Sequence, residues 1–205
     1  MVKCFSLITL IMASLSCATL NVRGCRDSMK RYQLFELLKN TSHHADFYLL
    51  QETHSITRDE QVWPLVWRGK CILSHKNNNS AGVAILFHPN STVEIIDKSE
   101  PIPGHLLHTQ VKLNGTLVNI INVYAHTDAN ERLHCFTRLN TLLTNMNQEP
   151  VIIGGDFNCT LNPELDRLQC TESDRHSTRL LDNMIHRHKL IDSWRHYHGN
   201  NRNYT

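Results

Sequence analysis

The chain has 205 residues, the length of one globular domain with room for a core of ordinary size. Its 21 Lys and Arg against 19 Asp and Glu leave a formal charge of +2, which excludes an acidic solvating tail and a strongly basic arm; any nucleic-acid contact has to come from a local patch. With 40% hydrophobic residues, 8 Gly and 6 Pro, it is neither collagen-like nor of low complexity. At the N-terminus, Lys3 precedes an apolar run from Cys4 to Leu15 that has the make-up of a weak secretory signal and is too short for a membrane span of ~20 residues. The competing reading, favoured here, takes residues 1–12 as a leader and 13–205 as one domain whose first buried strand lies within Ala13 to Val22. Asp27 is placed to cap a helix with Tyr32, Leu34, Phe35, Leu37 and Leu38 on one broad face. Asp46 to Gln51 is a short apolar run typical of a buried strand. A polar stretch with Trp63 and Trp67 follows, then a turn at Asn77-Asn78-Asn79-Ser80 and a strand from Gly82 to Phe87. Thr92 to Ile96 and Leu107 to Leu113 alternate as strands, and Asn114-Gly115 signals a hairpin before the partner strand Leu117 to Tyr124. A helix capped near Asp128 has Leu133, Phe136, Leu139, Leu143 and Met146 at one-face spacing. Val151 to Ile153 is a strand running into Gly154-Gly155-Asp156, and a last helix near Thr178 to His188 precedes Leu190 to Trp194. Hairpins with helices between them predict an α+β protein, a four-layer α/β/β/α sandwich of two stacked, mainly antiparallel sheets flanked by helices.

The seven Cys are odd in number and none form a C-x-x-C pair, which argues against a disulfide framework or a structural zinc site and for a reducing compartment. A nuclear or cytoplasmic location is therefore expected over secretion. Most of the 14 His stand singly in polar stretches, such as His43, His44, His75, His186 and His188, and read as surface residues; His54 is the exception. Beyond the N-terminal run no segment is apolar enough to cross a bilayer, so a soluble protein without membrane contact is expected.

Several strand-like runs end in polar residues that a buried strand would not otherwise choose. The ends are Leu20-Asn21, Leu50-Gln51-Glu52-Thr53-His54, Val123-Tyr124-Ala125-His126 and Gly155-Asp156-Phe157-Asn158. If they cluster at one edge, they gather carboxylates, carboxamides and a phenol. Such an oxygen-rich set suits Mg²⁺ or Mn²⁺, and metal-assisted phosphodiester hydrolysis is the chemistry that follows. Each residue also has a plainer role: Glu52 as a solvated strand-end carboxylate, Asp156 capping a turn after Gly-Gly, Asn158 in an Asx turn, Tyr124 in sheet packing. Composition does not choose among these.

In combination, the strings Leu20-Asn21-Val22-Arg23-Gly24, Gln51-Glu52-Thr53-His54, Gly82-Val83-Ala84-Ile85-Leu86, Asn122-Val123-Tyr124-Ala125 and Gly154-Gly155-Asp156-Phe157-Asn158 resemble the exonuclease–endonuclease–phosphatase superfamily. They run in that family's order and cover nearly the whole chain from Ala13 onward. Within it, Gln51 to His54, Gly154 to Cys159 and Leu190-Ile191-Asp192-Ser193-Trp194-Arg195 leading to Tyr204-Thr205 are most similar to the endonuclease of LINE-type retrotransposons. The resemblance implies a monomeric DNA endonuclease using Mg²⁺ or Mn²⁺, which nicks DNA to leave a 3′ hydroxyl and belongs to a retrotransposon polyprotein. It implies that Glu52 is the main metal-binding residue and that Asn21 helps hold the metal and its water. Tyr124 then lies near the scissile phosphate, Asp156 orients the nucleophile or assists the leaving group, and Asn158 contacts phosphate. His54 and Arg23 are candidate phosphate contacts. Arg23 stands where relatives carry Asn or Asp, and His126-Thr127 replaces Pro-Asn, which is expected to loosen the turn after Tyr124. The family's closing Ser-Arg-x-Asp and Ser-Asp-His segments, which supply the general-base histidine, find no match up to Thr205. The sandwich is thus expected to be incomplete at its C-terminal end and its activity reduced, because acid–base help is worth roughly 10²–10⁴-fold. A non-catalytic retrotransposon remnant that at most binds nucleic acid, and a phosphatase or phosphodiesterase of the same superfamily, are the alternatives.

Overall fold

In the computed structural model, residues 5–8, 15–40, 45–76, 80–113, 115–146, 149–162 and 172–199 are described. The strands are β1 Phe5–Ile8, β2 Cys17–Asn21, β3 Phe47–Gln51, β4 Cys71–Ser74, β5 Val83–Phe87, β6 Val93–Ile102, β7 Leu106–Leu113, β8 Thr116–Tyr124 and β9 Val151–Asp156. The helices are α1 Ser28–Asn40, α2 Asp59–Trp67, α3 Ala129–Thr144, α4 Glu172–Arg187 and α5 Ser193–His198. One sheet has the order β1-β9-β8-β7-β6 and the other β2-β3-β5-β4. Both are mixed: β2 runs parallel to β3 and β8 parallel to β9, while the other described pairs are antiparallel.

Period-2 alternation explains the layering. In β3 and β5, Phe47, Leu49, Val83, Ile85 and Phe87 face the other sheet, where they meet Leu107, Val111, Val118, Ile120 and Ile152. The opposite face of the four-stranded sheet presents Tyr48, Leu50, Ala84 and Leu86 to Phe35, Leu38, Trp63 and Trp67 of α1 and α2. The outer face of the five-stranded sheet presents Ile121, Val123 and Ile153 to Phe136, Leu139, Leu181 and Met184 of α3 and α4. Three apolar interfaces between four layers give the α/β/β/α sandwich.

The structure departs from the sequence reading at several places. Phe5–Ile8, assigned to the leader, is a strand that pairs antiparallel with β9. The stretch with Trp63 and Trp67 is a helix, disguised by Pro64 in its interior and closed by Arg68, a left-handed residue whose N–H donates to the Pro64 carbonyl. Both tryptophans are fully buried against Phe35. On α1 the buried stripe is narrower than expected: Arg31, Phe35 and Leu38 are covered, whereas Tyr32 and Leu37 are exposed. Asp27 does cap it, accepting the Lys30 N–H at 2.7 Å, and Asp128 caps α3 through the N–H groups of Asn130 and Glu131. His105 and His108 are buried rather than exposed, and His75 is half-buried with Nδ1 2.9 Å from the Ser55 hydroxyl. His43, His44, Asn77–Asn79 and Asn114 lie outside the described residues. No described helix is long and apolar enough to cross a membrane.

Candidate active site

The same alternation that fills the space between the sheets with apolar side chains turns polar at one end. Thr19 and Asn21 continue the inward row of β2, Gln51 that of β3, Asn122 and Tyr124 that of β8, and Asp156 that of β9. Register aligns them: Asn21 pairs with Gln51, and Tyr124 pairs with Asp156. Just below the mouth the two sheets are tied by a buried carboxamide bridge. Gln51 Nε2 donates to Asn122 Oδ1 at 2.8 Å, and Asn122 Nδ2 donates to the carbonyls of Leu50 and Ala84 at 2.9 Å each. Thr19 Oγ1 accepts from Gln51 Nε2 at 3.0 Å. Each of these groups would cost ~1–3 kcal/mol if left unpaired at this depth, so the bridge fixes how β3 and β8 sit. Glu52 and Tyr124 extend directly from it.

Glu52 breaks the alternation. One residue past Gln51, simple pleating would send its side chain toward the helices. Its φ of +53° reverses that direction, and His54 follows with φ +52°. The turn is imposed from both sides: Gly24 N donates to the Glu52 carbonyl, Cys25 N to the Thr53 carbonyl, and Thr53 N to the Gly82 carbonyl. Gly82 has φ +90° and lies against the Thr53 hydroxyl, where a Cβ would come within 2.5 Å.

The result is a compact cluster. Asn21 Nδ2 donates to Glu52 Oε1 at 2.7 Å and to Asp156 Oδ2 at 3.1 Å, so one amide joins both carboxylates. The Tyr124 hydroxyl donates to Glu52 Oε1 at 2.9 Å. Asp156 Oδ1 accepts the Asn158 N–H at 3.0 Å, and Asn158 Nδ2 donates to the Ala125 carbonyl at 2.8 Å. Burial, the bond to Glu52 and the two carboxylates all push the Tyr124 phenol well above its ordinary value, so it remains a donor. Asn21 Oδ1 is occupied by the Arg23 N–H at 3.1 Å, which leaves its nitrogen facing the carboxylates.

Of the seven candidate residues, the structure thus brings Asn21, Glu52, Tyr124, Asp156 and Asn158 together. His54 sits beside them, half-buried with its ring over Gly24. Arg23 is exposed, and among the described residues its guanidinium forms no ion pair with either carboxylate. The turn after Tyr124 is held where Pro-Asn is lacking: the buried Arg132 guanidinium donates to the carbonyls of His126 and Thr127 and to the Ser177 hydroxyl.

Two contributors went unassigned in the sequence reading. Asn122 was detectable as a polar residue on the inward row of an otherwise apolar strand. His105 was not, since nothing local marks it. Its Nδ1–H donates to the Tyr124 carbonyl at 2.7 Å, and its ring stacks on the Tyr124 ring with centroids 5.3 Å apart. Its pKa is pushed down to about 4 by burial, against the Tyr124 carbonyl, which raises it, with the positive charges of His126 and Lys76 lowering it further. Because the folded value lies below the ordinary 6.5, the unfolded chain takes the proton first. Stability present above about 6.5 is therefore lost as the pH falls toward 4. A His105→Gln variant is expected to show a flatter decline in melting temperature across that window; an unchanged slope would show that His105 does not titrate as described.

Among the described residues, no group of three or more His, Cys, Asp or Glu side chains is gathered in a metal-ligating arrangement. Glu52 and Asp156 nevertheless form an oxygen donor set with no Lys or Arg partner among the described residues. Mg²⁺ is commonly held by one or two carboxylates, with water and substrate phosphate completing its shell. The residues present fit such an ion.

Two mixed sheets stacked between helix layers, with a carboxylate, amide and phenol cluster at their polar ends, define a four-layer α+β sandwich. The chain is similar in fold to an AP endonuclease from Archaeoglobus fulgidus, with a TM-score of 0.68 and 22% identity over 94% of this chain and 77% of that one. It is likewise similar to a 3′-5′ exonuclease from Neisseria meningitidis, with a TM-score of 0.63 and 18% identity over 89% of this chain and 73% of that one. Residues 18–205 match the model of the Endonuclease/Exonuclease/phosphatase family, and the chain belongs to that family. It is also 36% identical over 183 residues to the Transposon TX1 uncharacterized 149 kDa protein of Xenopus laevis; the match covers 89% of this chain and spans 14% of that relative's length.

Proposed function

We propose that this domain is a DNA endonuclease that hydrolyses phosphodiester bonds with Mg²⁺ or Mn²⁺ and leaves a 3′ hydroxyl. The observation that supports this most is the pair Glu52 and Asp156, joined through one Asn21 amide and lacking a cationic partner among the described residues. When bound, a divalent cation supplies charge stabilisation to the phosphoryl oxygens. In this reading Glu52 holds the cation, and Asn21, whose amide nitrogen joins the two carboxylates, aligns them and helps hold the cation and its water. Asp156 orients a water toward phosphorus. Tyr124 keeps its proton and donates it as a hydrogen bond to Glu52 or to a phosphate oxygen. Asn158 stands next to Asp156, and the exposed Arg23 and the rim residue His54 face incoming backbone phosphate. The likeness to a transposon protein supports a place for the domain within a longer polyprotein.

The test is supercoiled plasmid incubated with the protein in Mg²⁺ or in EDTA, with inositol phosphates as rival substrates. Nicked circles should form in Mg²⁺ alone. The cation should also raise the melting temperature: at 100 times its Kd, a ligand of the folded state contributes about 2.7 kcal/mol. Absence of both nicking and cation-dependent stabilisation would reject the reading, and cleavage of inositol phosphates in place of plasmid would redirect it to another substrate class.

A further inference from the structure

Beside the carboxylate cluster, three rings form a stack. The Tyr124 ring, whose hydroxyl is on Glu52, lies parallel to His105 at 5.3 Å, and His105 lies against His126 at 3.7 Å. His105 is 97% buried and its protonation is fixed by its neighbours. Nδ1 faces the Tyr124 carbonyl and must donate, so Nε2 accepts, and what it accepts from is the ammonium of Lys76 at 3.2 Å. Lys76 is thereby held at the outer side of the stack. It is exposed and has no carboxylate partner among the described residues. The single bond to His105 leaves two of its three N–H donors for another acceptor. His126 completes the wall, and its Nδ1 is buried with no hydrogen-bond partner among the described residues. Asp128 and Glu131 are the carboxylates near His126, and Asp128 is engaged in capping α3.

An ammonium without a described carboxylate partner and the half-buried His126 imidazole beside it, both set on a ring stack that ends at Glu52, offer N–H donors to an anion. We propose that Lys76 and His126, positioned by His105, form a phosphate-binding subsite that takes a second backbone phosphate of the polynucleotide, next to the one at Glu52 and Asp156. This rests on the proposed nuclease reading and adds to it a position along the strand. The subsite contributes to binding and register, not to the bond-breaking step.

The experiment measures binding of a fluorescein-labelled DNA duplex by anisotropy, in EDTA, at several salt concentrations. Lys76→Met and His126→Phe are compared with the unmodified protein, the latter variant keeping the ring stack while removing both nitrogens. Each neutralised phosphate contact contributes roughly 0.9 to the slope of log K against log salt on B-DNA. Lys76→Met is expected to lower that slope by roughly one such contact and to weaken binding several-fold at low salt, with Lys76→Arg restoring both. His126→Phe is expected to weaken binding with an unchanged melting temperature. Slopes and affinities unchanged in both variants would overturn the subsite. That failure is separable from failure of the nuclease reading, which shows as plasmid nicking that is absent or independent of Glu52. Inorganic phosphate added as a competitor distinguishes the sources: competition at millimolar levels equal for both partners would mean a free-phosphate site and would overturn the strand contact.

Discussion

Replacing Glu52 by Gln is expected to reduce Mg²⁺-dependent plasmid nicking by about 10³-fold or more while the protein stays folded. Gln retains an oxygen at the position that accepts from Asn21 and Tyr124, so the cluster keeps its hydrogen bonds. What it lacks is the charge that holds a cation. Cation stabilisation of transition-state charge is worth several kcal/mol, and each 1.36 kcal/mol is tenfold in rate. The substitution also removes one of two neighbouring carboxylates that share a single amide and have no described cationic partner. The melting temperature in EDTA is therefore expected to hold or rise, and its increase on adding Mg²⁺ to disappear, a separation of stability from activity typical of functional sites. Nicking that survives in Glu52→Gln would remove the basis for the proposed roles.

Gly155→Ala is expected to damage both the fold and the site. Gly155 lies within β9 with φ +138°, and a Cβ there would come 1.9 Å from the Val123 carbonyl oxygen of β8. The obstacle is backbone of a neighbouring strand, which cannot rotate out of the way. The strained φ alone costs ~1–3 kcal/mol, and the displacement of β9 adds to it, for a total of about 3 kcal/mol or more. For a chain of this size that corresponds to a fall of roughly 6–12 °C in melting temperature. Because Gly155 precedes Asp156, which pairs with Tyr124, nicking should fall along with stability. Gly115→Ala is the control: its φ is +84°, but nothing lies within 4 Å of the added methyl. Equal effects of the two substitutions would mean that the close approach of β8 and β9 is not what demands glycine.

The strands β3, β5, β7, β8 and β9 and the helices α1, α3 and α4 were legible because their apolar periodicity and capping residues are local properties. Helix α2 was not, since Pro64 argues against a helix in isolation while two buried tryptophans stabilise one. Nor was β1, because the pairing of Phe5–Ile8 with β9 joins segments nearly 150 residues apart in sequence. At the candidate site, the string Gln51-Glu52 and the string Gly155-Asp156-Phe157-Asn158 already named the carboxylates. The expectation of a loosened turn after Tyr124 did not anticipate Arg132, whose buried guanidinium binds that turn from α3.

By itself the sequence determined that strand-like runs end in polar residues such as Asn21, Gln51, Tyr124 and Asp156, and the two-residue pleat sets each in a row with alternate residues of its strand. Only the tertiary structure decided that these rows converge, that Glu52 turns toward them through a left-handed φ, and that His105 and Lys76 lie alongside. The reason is physical: pleating depends on adjacent peptide units. A reversed φ at Glu52 and the seating of His105 against Tyr124 depend instead on hydrogen bonds from chain segments that sequence spacing does not bring together.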